Sequence, residues 1–191
     1  MLAMNSEKDI LNCIAVLKKG GIILYPTDTV WGIGCDATNA DAVAKIYQLK
    51  KRPDEKAMIV LVADERDVLH YVASPDLQVF DYLLEAKKPT TVIYESAIGL
   101  ADNLVGQDGS IAIRICQEEF CKHLIKIFRK PIVSTSANIS GQPVARLFTD
   151  IADEIKAGVD YTVTYRQDDK TIAEPSAVIK WSKGMIEVIR P

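Results

Sequence analysis

The amino-acid sequence predicts an α/β domain with a mixed β-sheet. Short apolar runs, typical of buried strands, alternate with amphipathic helical segments along most of the chain. The chain then ends in strand-like segments, which favours a sheet that mixes parallel and antiparallel pairs. Its 191 residues are 48% hydrophobic, enough for a sizeable core, and we predict a single domain over residues 1–191.

The first part of the chain is predicted to hold two helices and one strand. Residues 6–19 carry apolar side chains every three or four positions, with Ser6 as the N-cap. A pair of glycines ends this helix, and the apolar run at 22–25 is a short buried strand. A second amphipathic helix covers 40–50, because Pro53 stops the pattern shortly afterwards.

The remaining elements follow from the same two patterns. Residues 57–64 (AMIVLVAD) are predicted to be a buried strand, and residues 75–86 a helix with Pro75 in its first turn. Further helices are predicted at 117–129 and 149–157. Further strands are predicted at 90–95, 110–116, 131–135, 161–165, 176–181 and 185–190. The polar stretch at 166–175 is expected to be a mobile loop.

Composition and charge exclude several classes of protein. The formal net charge is −3, so any anion-binding site must be local. Four cysteines without C-x-x-C spacing and two histidines argue against a zinc site and favour reduced, buried thiols. Neither a Walker A loop nor a G-x-G-x-x-G loop occurs. The early charged residues do not fit a signal peptide and no apolar run has transmembrane length, so we expect a soluble, cytoplasmic protein with no membrane partner.

Three polar segments are candidates for chemistry, and the first follows the strand at 22–25. In YPTDTVWGIG, the hydroxyls of Thr27 and Thr29 can bind a small polar ligand, while Gly32 and Gly34 let backbone N–H groups approach it. An ordinary turn between two strands explains the same residues equally well.

The second segment, LKKRPDEK (residues 49–56), places cations at the end of a predicted helix. Lys50 and Arg52 can together hold phosphate oxygens, as a point charge beside a planar fork. The helix dipole alone also explains cations at this position. Both interpretations stay open on the residues alone.

The third segment, STSANISGQP (residues 134–143), follows a buried strand with four hydroxyls and an amide. Such groups can bind phosphate, ribose or adenine, and ligands of α/β sheets bind beyond the carboxyl ends of strands. A solvated loop is the alternative. Arg114, inside an apolar strand, also needs a partner, either a substrate carboxylate or Asp28. We expect these segments to line one pocket.

Several motifs make the chain resemble the YrdC-like (YrdC/YciO) family over about residues 8–191. In order, they are YPTDTVWGIG, KKR, IAIRI, STSANISG, PSAVI and IEVIRP. The best-known members of this family are threonylcarbamoyl-AMP synthases. The resemblance implies the YrdC-like fold, a twisted mixed sheet flanked by helices with a concave, positively lined surface.

The resemblance implies a nucleotidyltransferase that joins L-threonine, bicarbonate and ATP, with Mg²⁺, into threonylcarbamoyl-adenylate and pyrophosphate for transfer-RNA modification. It implies no resident metal site, and it implies protein partners in tRNA modification. Carried over by motif, the ATP-binding residues are Lys50, Arg52, Ser136, Asn138, Ser176 and Arg190, with Lys50 and Arg52 as the catalytic cations. Thr27 and Arg114 would bind threonine, the arginine through its carboxylate.

Two departures from the family pattern keep an alternative open. The chain has KAMIVL at residues 56–61, where the family often has a histidine, and AKKPTT at 86–91, where it often has a glycine. The alternative is a non-catalytic paralogue that binds nucleotide or double-stranded RNA. RNA would bind a local basic patch made of Lys50, Lys51, Arg52, Lys87 and Lys88.

Overall fold

The computed structural model describes residues 4–51, 58–172, 174–182 and 184–191, with the backbone alone for Met4 and Asn5. The helices in these ranges are α1 (Met4–Lys18), α2 (Ala40–Lys50), α3 (Glu65–Tyr71), α4 (Gln78–Glu85), α5 (Glu119–Phe128) and α6 (Asp153–Ala157). The 3₁₀ turns are Asp102–Leu104 and Phe148–Asp150. The strands are β1 (Ile23–Tyr25), β2 (Gly32–Gly34), β3 (Ile59–Val62), β4 (Thr90–Tyr94), β5 (Ile111–Ile115), β6 (Ile132–Ser136), β7 (Tyr161–Thr162), β8 (Ala177–Ser182) and β9 (Met185–Arg190).

These strands form one mixed sheet in the order β7-β1-β2-β6-β3-β5-β4-β8-β9. The pairs β1–β7, β3–β5 and β4–β8 are parallel, and the other neighbours are antiparallel. The fold class predicted from the sequence is therefore confirmed. Strands from the last third of the chain complete both edges of the sheet, so residues far apart in sequence meet there.

Most predicted elements are present with shorter bounds, and three differ. Helix α1 begins at Met4, so Ser6 lies buried inside the helix and is not its N-cap. Helix α4 begins at Gln78, so Pro75 precedes the helix. The helix predicted at 149–157 is divided into a 3₁₀ turn and the short α6.

The sequence patterns miss two short elements, β2 and α3. Strand β2 is Gly-Ile-Gly, which lacks the side chains that mark a strand. Helix α3 has seven residues and begins with a capping box between Asp64 and Asp67. Each of these carboxylates accepts the backbone N–H of the other residue, which satisfies two donors at the helix start.

Gly34 lets β2 pass close beneath the ring of Tyr25. A Cβ atom at this position would lie 2.5 Å from the carbonyl oxygen of Val133 and 2.7 Å from the Tyr25 ring. Tyr25 is fully buried, and its hydroxyl donates to the same carbonyl at 3.2 Å. The glycine therefore serves strand packing rather than the ligand approach predicted from the sequence.

Helices α1 and α5 pack against each other and against the sheet. Helix α1 contacts β1 and β7, and α5 contacts β3. All four cysteines are buried and free, as predicted. None of the helices in the described ranges has both the length and the apolar character needed to cross a bilayer.

Asp9 of α1 fixes the chain that enters the polar stretch at 166–175. Its buried carboxylate accepts hydrogen bonds from the Tyr161 hydroxyl, from the backbone and hydroxyl of Thr164, and from the backbone of Tyr165. The described part of this stretch has neither helix nor strand. The loop predicted there is thus present in the described residues, its mobility stays a prediction, and the residues directly before it are bonded to α1.

Candidate active site

Thr27 and Thr29 stabilise the tight turn that joins β1 to β2. The Thr27 hydroxyl donates to the carbonyl of Val30 at 2.8 Å and accepts from the backbone N–H of Thr29 at 3.0 Å. The two threonine hydroxyls are 3.0 Å apart, and Arg114 Nη2 donates to Thr29 Oγ1 at 3.2 Å. Because Thr27 already donates to Val30, the hydrogen bonds run from Arg114 through Thr29 to Thr27. The hydroxyls therefore stabilise a turn, as one of the two explanations predicted, and their binding of a ligand stays a prediction.

Arg114 and Asp28 form a buried ion pair, which confirms one of the two partners expected from the sequence. Nη2 of the arginine lies 3.0 Å from Oδ1 of the aspartate, and their side chains are only 4% and 7% exposed. The other carboxylate oxygen accepts the backbone N–H of Gln117 at 3.0 Å. Removing one member of such a pair typically costs about 3–5 kcal/mol.

The guanidinium of Arg114 is only partly satisfied. Its Nε is buried and has no hydrogen-bond partner within the described residues. A buried donor left unpaired is unfavourable, so this atom is suited to meet a ligand oxygen. We call Thr27, Asp28, Thr29 and Arg114 the Arg114 cluster.

Lys50, the last residue of α2, is buried, with 1% of its surface exposed. Its ammonium donates to the carbonyl oxygens of Ser136 at 2.5 Å and Asn138 at 2.6 Å. The sequence places Lys50 at an exposed helix end, and that prediction is wrong because the chain after β6 folds over it. Arg52, its predicted partner in the clamp, lies outside the described residues.

The S-x-N turn, residues 136–138, begins at Ser136, the last residue of β6. The side-chain amide of Asn138 donates to the carbonyls of Ile139 at 3.0 Å and Gln142 at 2.8 Å. Its Oδ1 is buried and has no partner within the described residues. The amide group thus closes the turn while its oxygen is left to accept from a ligand hydroxyl or amine.

Ser176 and Arg190 lie together beside β4. The Ser176 hydroxyl is 2.8 Å from that of Thr91, and Arg190 donates to the carbonyl of Ser176 at 2.9 Å and to its hydroxyl at 3.3 Å. Burial lowers the pKa of Arg190, and the positive charge of Arg114 lowers it further. Thr91, which the sequence interpretation missed, is a buried hydroxyl in a strand, and that is the signal that could have identified it.

Strand pairing brings the Arg114 cluster beside the S-x-N turn. Gly32 of β2 pairs with Ser136 of β6, and a Cβ atom on Gly32 would lie 3.3 Å from Thr27. Ala137 also donates to the carbonyl of Trp31 at 3.0 Å. The described segments near residues 27, 50, 114 and 137 therefore converge, as expected.

The largest cleft in the described residues lies elsewhere and shares only Asp28 with these groups. It has a volume of about 960 Å³ and is bordered by cations, namely Arg66, Lys87, Lys88 and Lys122. It lacks the hydroxyl cluster, so we place the substrates at the Arg114 cluster and not here. The basic patch predicted from the sequence needs correction, because buried Lys50 cannot belong to it and exposed Lys51 pairs with Glu154 at 2.8 Å.

The described residues contain no group of three or more histidine, cysteine or acidic side chains placed to hold a metal ion.

Comparison with known proteins identifies clear relatives. A family model named Sua5_yciO_yrdC, described as telomere recombination, matches residues 15–191. A threonylcarbamoyl-AMP synthase of Idiomarina loihiensis is 35% identical over 166 residues, covering 84% of this chain and 87% of the relative. One from Stenotrophomonas maltophilia is 36% identical over 143 residues, covering 73% and 77%.

Solved structures share the fold. Sua5 of P. abyssi in complex with L-threonine matches with a TM-score of 0.85 and 21% identity, over 97% of this chain and 54% of that chain. This chain thus spans about half the length of that Sua5. YciO of E. coli matches with a TM-score of 0.82 and 20% identity, over 96% of this chain and 89% of that chain.

Proposed function

Since the chain belongs to the Sua5/YciO/YrdC family, we propose that it is a threonylcarbamoyl-AMP synthase. The family predicted from the sequence is thereby confirmed. The observation that carries the activity is the position of the Arg114 cluster beside the S-x-N turn. The Arg114 cluster suits the carboxylate of an amino acid, and the S-x-N turn suits a nucleotide. A reaction between these two substrates requires adjacent sites.

The reaction needs no side-chain nucleophile. The threonine amine attacks bicarbonate, which forms a carbamate and releases water. A carbamate oxygen then attacks the α-phosphorus of ATP, and pyrophosphate leaves. The protein holds the reactants in line and stabilises the charge that develops on the phosphates.

Threonine is proposed to bind at the Arg114 cluster. The unpaired Nε of Arg114 would donate to the substrate carboxylate, while Asp28 and Thr29 hold the guanidinium in place. Thr27 would contact the substrate through the turn that its hydroxyl stabilises.

ATP is proposed to bind along the S-x-N turn, where Ser136 and Asn138 would contact the nucleotide. Lys50 donates hydrogen bonds to two carbonyls of this turn. Together with Arg52 it would neutralise the negative charge of the phosphates. Ser176 and Arg190 would contact the nucleotide from the β8–β9 side. ATP would arrive as its magnesium complex, with the ion held by phosphate oxygens and water.

We further propose that the adenylate is used in the cytoplasm to form threonylcarbamoyladenosine in transfer RNA. The product is a reactive mixed anhydride, which favours direct transfer to a partner protein of tRNA modification.

The test is pyrophosphate release by the purified chain with MgATP, bicarbonate and labelled threonine. Release should require both threonine and bicarbonate, and the label should appear in an adenylate. Arg114→Gln should raise the KM for threonine, whereas Arg129→Ala, which removes an exposed arginine at the C-cap of α5, should not. Release that is independent of threonine would contradict the proposal.

One observation supports the alternative of RNA binding. Four cations border the 960 Å³ cleft, and none has an ion-pair partner within the described residues. Replacing Lys87 and Lys88 with alanine should weaken salt-sensitive binding to duplex RNA if this cleft holds phosphates. Unchanged binding would exclude the cleft as the RNA site.

A further inference from the structure

A second, much smaller cavity lies against the Thr27 turn. Thr27, Thr29 and Trp31 form one wall, Arg146 a second, and Arg166 with Asp169 a third. The volume open to the centre of a water-sized atom is about 20 Å³. One water needs roughly 10–15 Å³, so the cavity suits water or a small ion rather than a pyrophosphate or a nucleotide.

Arg166 is held firmly at the edge of this cavity. Its backbone has φ of 66°, a left-handed conformation that non-glycine residues seldom adopt. The two preceding residues are bonded to Asp9. Its guanidinium donates to the carbonyl of Thr27 at 3.3 Å and to Asp169 at 2.9 Å. Such a constrained residue is typical of a functional site.

The charges around the cavity favour a single negative charge. Asp169 lies 2.8 Å from Arg166 in an ion pair, and Glu118 lies 3.8 Å from the same guanidinium. Backbone and side-chain hydrogen bonds from Thr171, followed by the bond from Arg166, lower the pKa of Asp169 to about 2. Asp169 and Glu118 both face Arg166, so Arg146 is the lining charge that has no counter-ion within the described residues.

Arg146 supplies the unused donors. It is exposed at the rim of the cavity and has neither an ion-pair nor a hydrogen-bond partner within the described part of the chain. A guanidinium fork matches two oxygens of a planar oxyanion, which a lysine ammonium cannot do.

We propose that this cavity is the bicarbonate subsite, with Arg146 binding two of the ion's oxygens and Arg166 fixing the wall opposite. The proposal rests on the synthase activity, which needs bicarbonate next to the threonine amine. The cavity shares Thr27 and Thr29 with the Arg114 cluster, so a bicarbonate held here lies beside the proposed threonine site.

The first test compares steady-state kinetics of the full chain and its variants. Arg146→Ala should raise the KM for bicarbonate about ten- to hundredfold, the loss expected for a charge-assisted bidentate contact. The KM values for ATP and threonine should change less than about twofold. Arg146→Lys should recover only part of the loss, and the matched control Arg129→Ala, at the exposed C-cap of α5, should change none of the three.

The second test measures binding without turnover. The ¹³C line width of labelled bicarbonate should increase with the wild-type protein, and nitrate, a planar monoanion, should reverse the effect. Arg146→Ala should abolish the broadening and Arg129→Ala should preserve it. Broadening that persists in Arg146→Ala, or that phosphate reverses as well as nitrate does, would overturn the subsite.

These tests separate the subsite from the synthase activity. A chain that makes no adenylate but binds bicarbonate through Arg146 refutes the activity and retains the anion site. A chain that makes the adenylate with an unchanged bicarbonate KM in Arg146→Ala retains the activity and refutes the subsite.

Discussion

Lys50 joins two parts of the candidate site through one side chain. It comes from the end of α2, yet its ammonium bonds to two carbonyls of the S-x-N turn after β6. A buried ammonium is tolerated because these carbonyls replace water. The residue thus combines a structural role in the turn with the proposed electrostatic role towards phosphate.

Lys50→Ala should destabilise the fold by about 2–4 kcal/mol, because two carbonyl oxygens would lose their partner. Lys51→Ala is the matched control, since its ion pair with Glu154 is exposed and should contribute no more than about 1 kcal/mol. Urea unfolding of both variants measures the difference. Equal effects would mean that the burial of Lys50 contributes nothing to stability.

The contrast between Arg114 and Lys50 shows what sequence can predict at this scale. Arg114 lies inside an apolar strand, so its need for a carboxylate partner follows from its neighbours in sequence. In the structure, Asp28 is that partner. Lys50 ends an amphipathic helix, where lysines are commonly solvated. Only the distant turn after β6 buries it, and no local pattern contains that contact.

At the scale of secondary-structure elements, strand β2 and helix α5 hold the turn of Thr27 in place. Strand β2 depends on the close approach of Gly34 to Tyr25 and Val133. Glu118, the N-cap of α5, accepts the backbone N–H of Cys121 at 2.8 Å and faces Arg166. Propensity predicts α5 well but not β2, because a glycine-rich strand is formed by packing alone.

Gly34→Ala should destabilise the protein by about 1–3 kcal/mol or more, because its methyl group would overlap Val133 and the Tyr25 ring. Thermal or urea unfolding measures the loss. Gly141→Ala is a suitable comparison, since a Cβ atom there meets nothing within 4 Å and the cost of about 1 kcal/mol comes from its positive φ alone. A smaller loss at Gly34 than at Gly141 would contradict the packing role.

Because of Glu118, the free energy of unfolding should depend on pH at values above 4.5, the ordinary pKa of this side chain. Burial raises the pKa of Glu118 from 4.5, although the hydrogen bond from Cys121 opposes this shift. The folded state therefore binds more protons than the unfolded state between 4.5 and the raised pKa. Lowering the pH through this window should stabilise the wild type relative to Glu118→Gln.

Urea unfolding at several pH values measures that difference. Glu119→Gln is the matched control, since this neighbour is exposed and water solvates its side chain. If the stability of the wild type relative to Glu118→Gln increased with rising pH, the assigned direction of the pKa shift would be refuted.

On the scale of the whole molecule, the sheet order brings together a site whose parts come from most of the chain. The alternation of helices and strands predicts the α/β class, and the family motifs imply the fold. The order β7-β1-β2-β6 does not follow from these patterns, because any of several topologies would satisfy the same apolar runs. The bicarbonate cavity depends on that order and has no motif of its own.

ATP and threonine should bind cooperatively, since their proposed sites adjoin through the Gly32–Ser136 pair. Titration calorimetry with a non-hydrolysable ATP analogue should show tighter threonine binding, by a factor of about 5–150. The factor must be the same when the ligands are added in the reverse order. Independent binding would place the two sites apart.

The bonds between Asp9 and the residues around Tyr165, 156 positions later, also have a consequence during protein synthesis. On the ribosome, the residues of α1 are translated long before Tyr161, Thr164 and Tyr165, to which Asp9 of α1 bonds. The part of the cavity that carries Arg166 and the contact between Arg190 and Ser176 therefore cannot form before residues 164–190 have been translated. A chain that has not yet been translated as far as Arg190 lacks both, so it should not consume threonine or ATP.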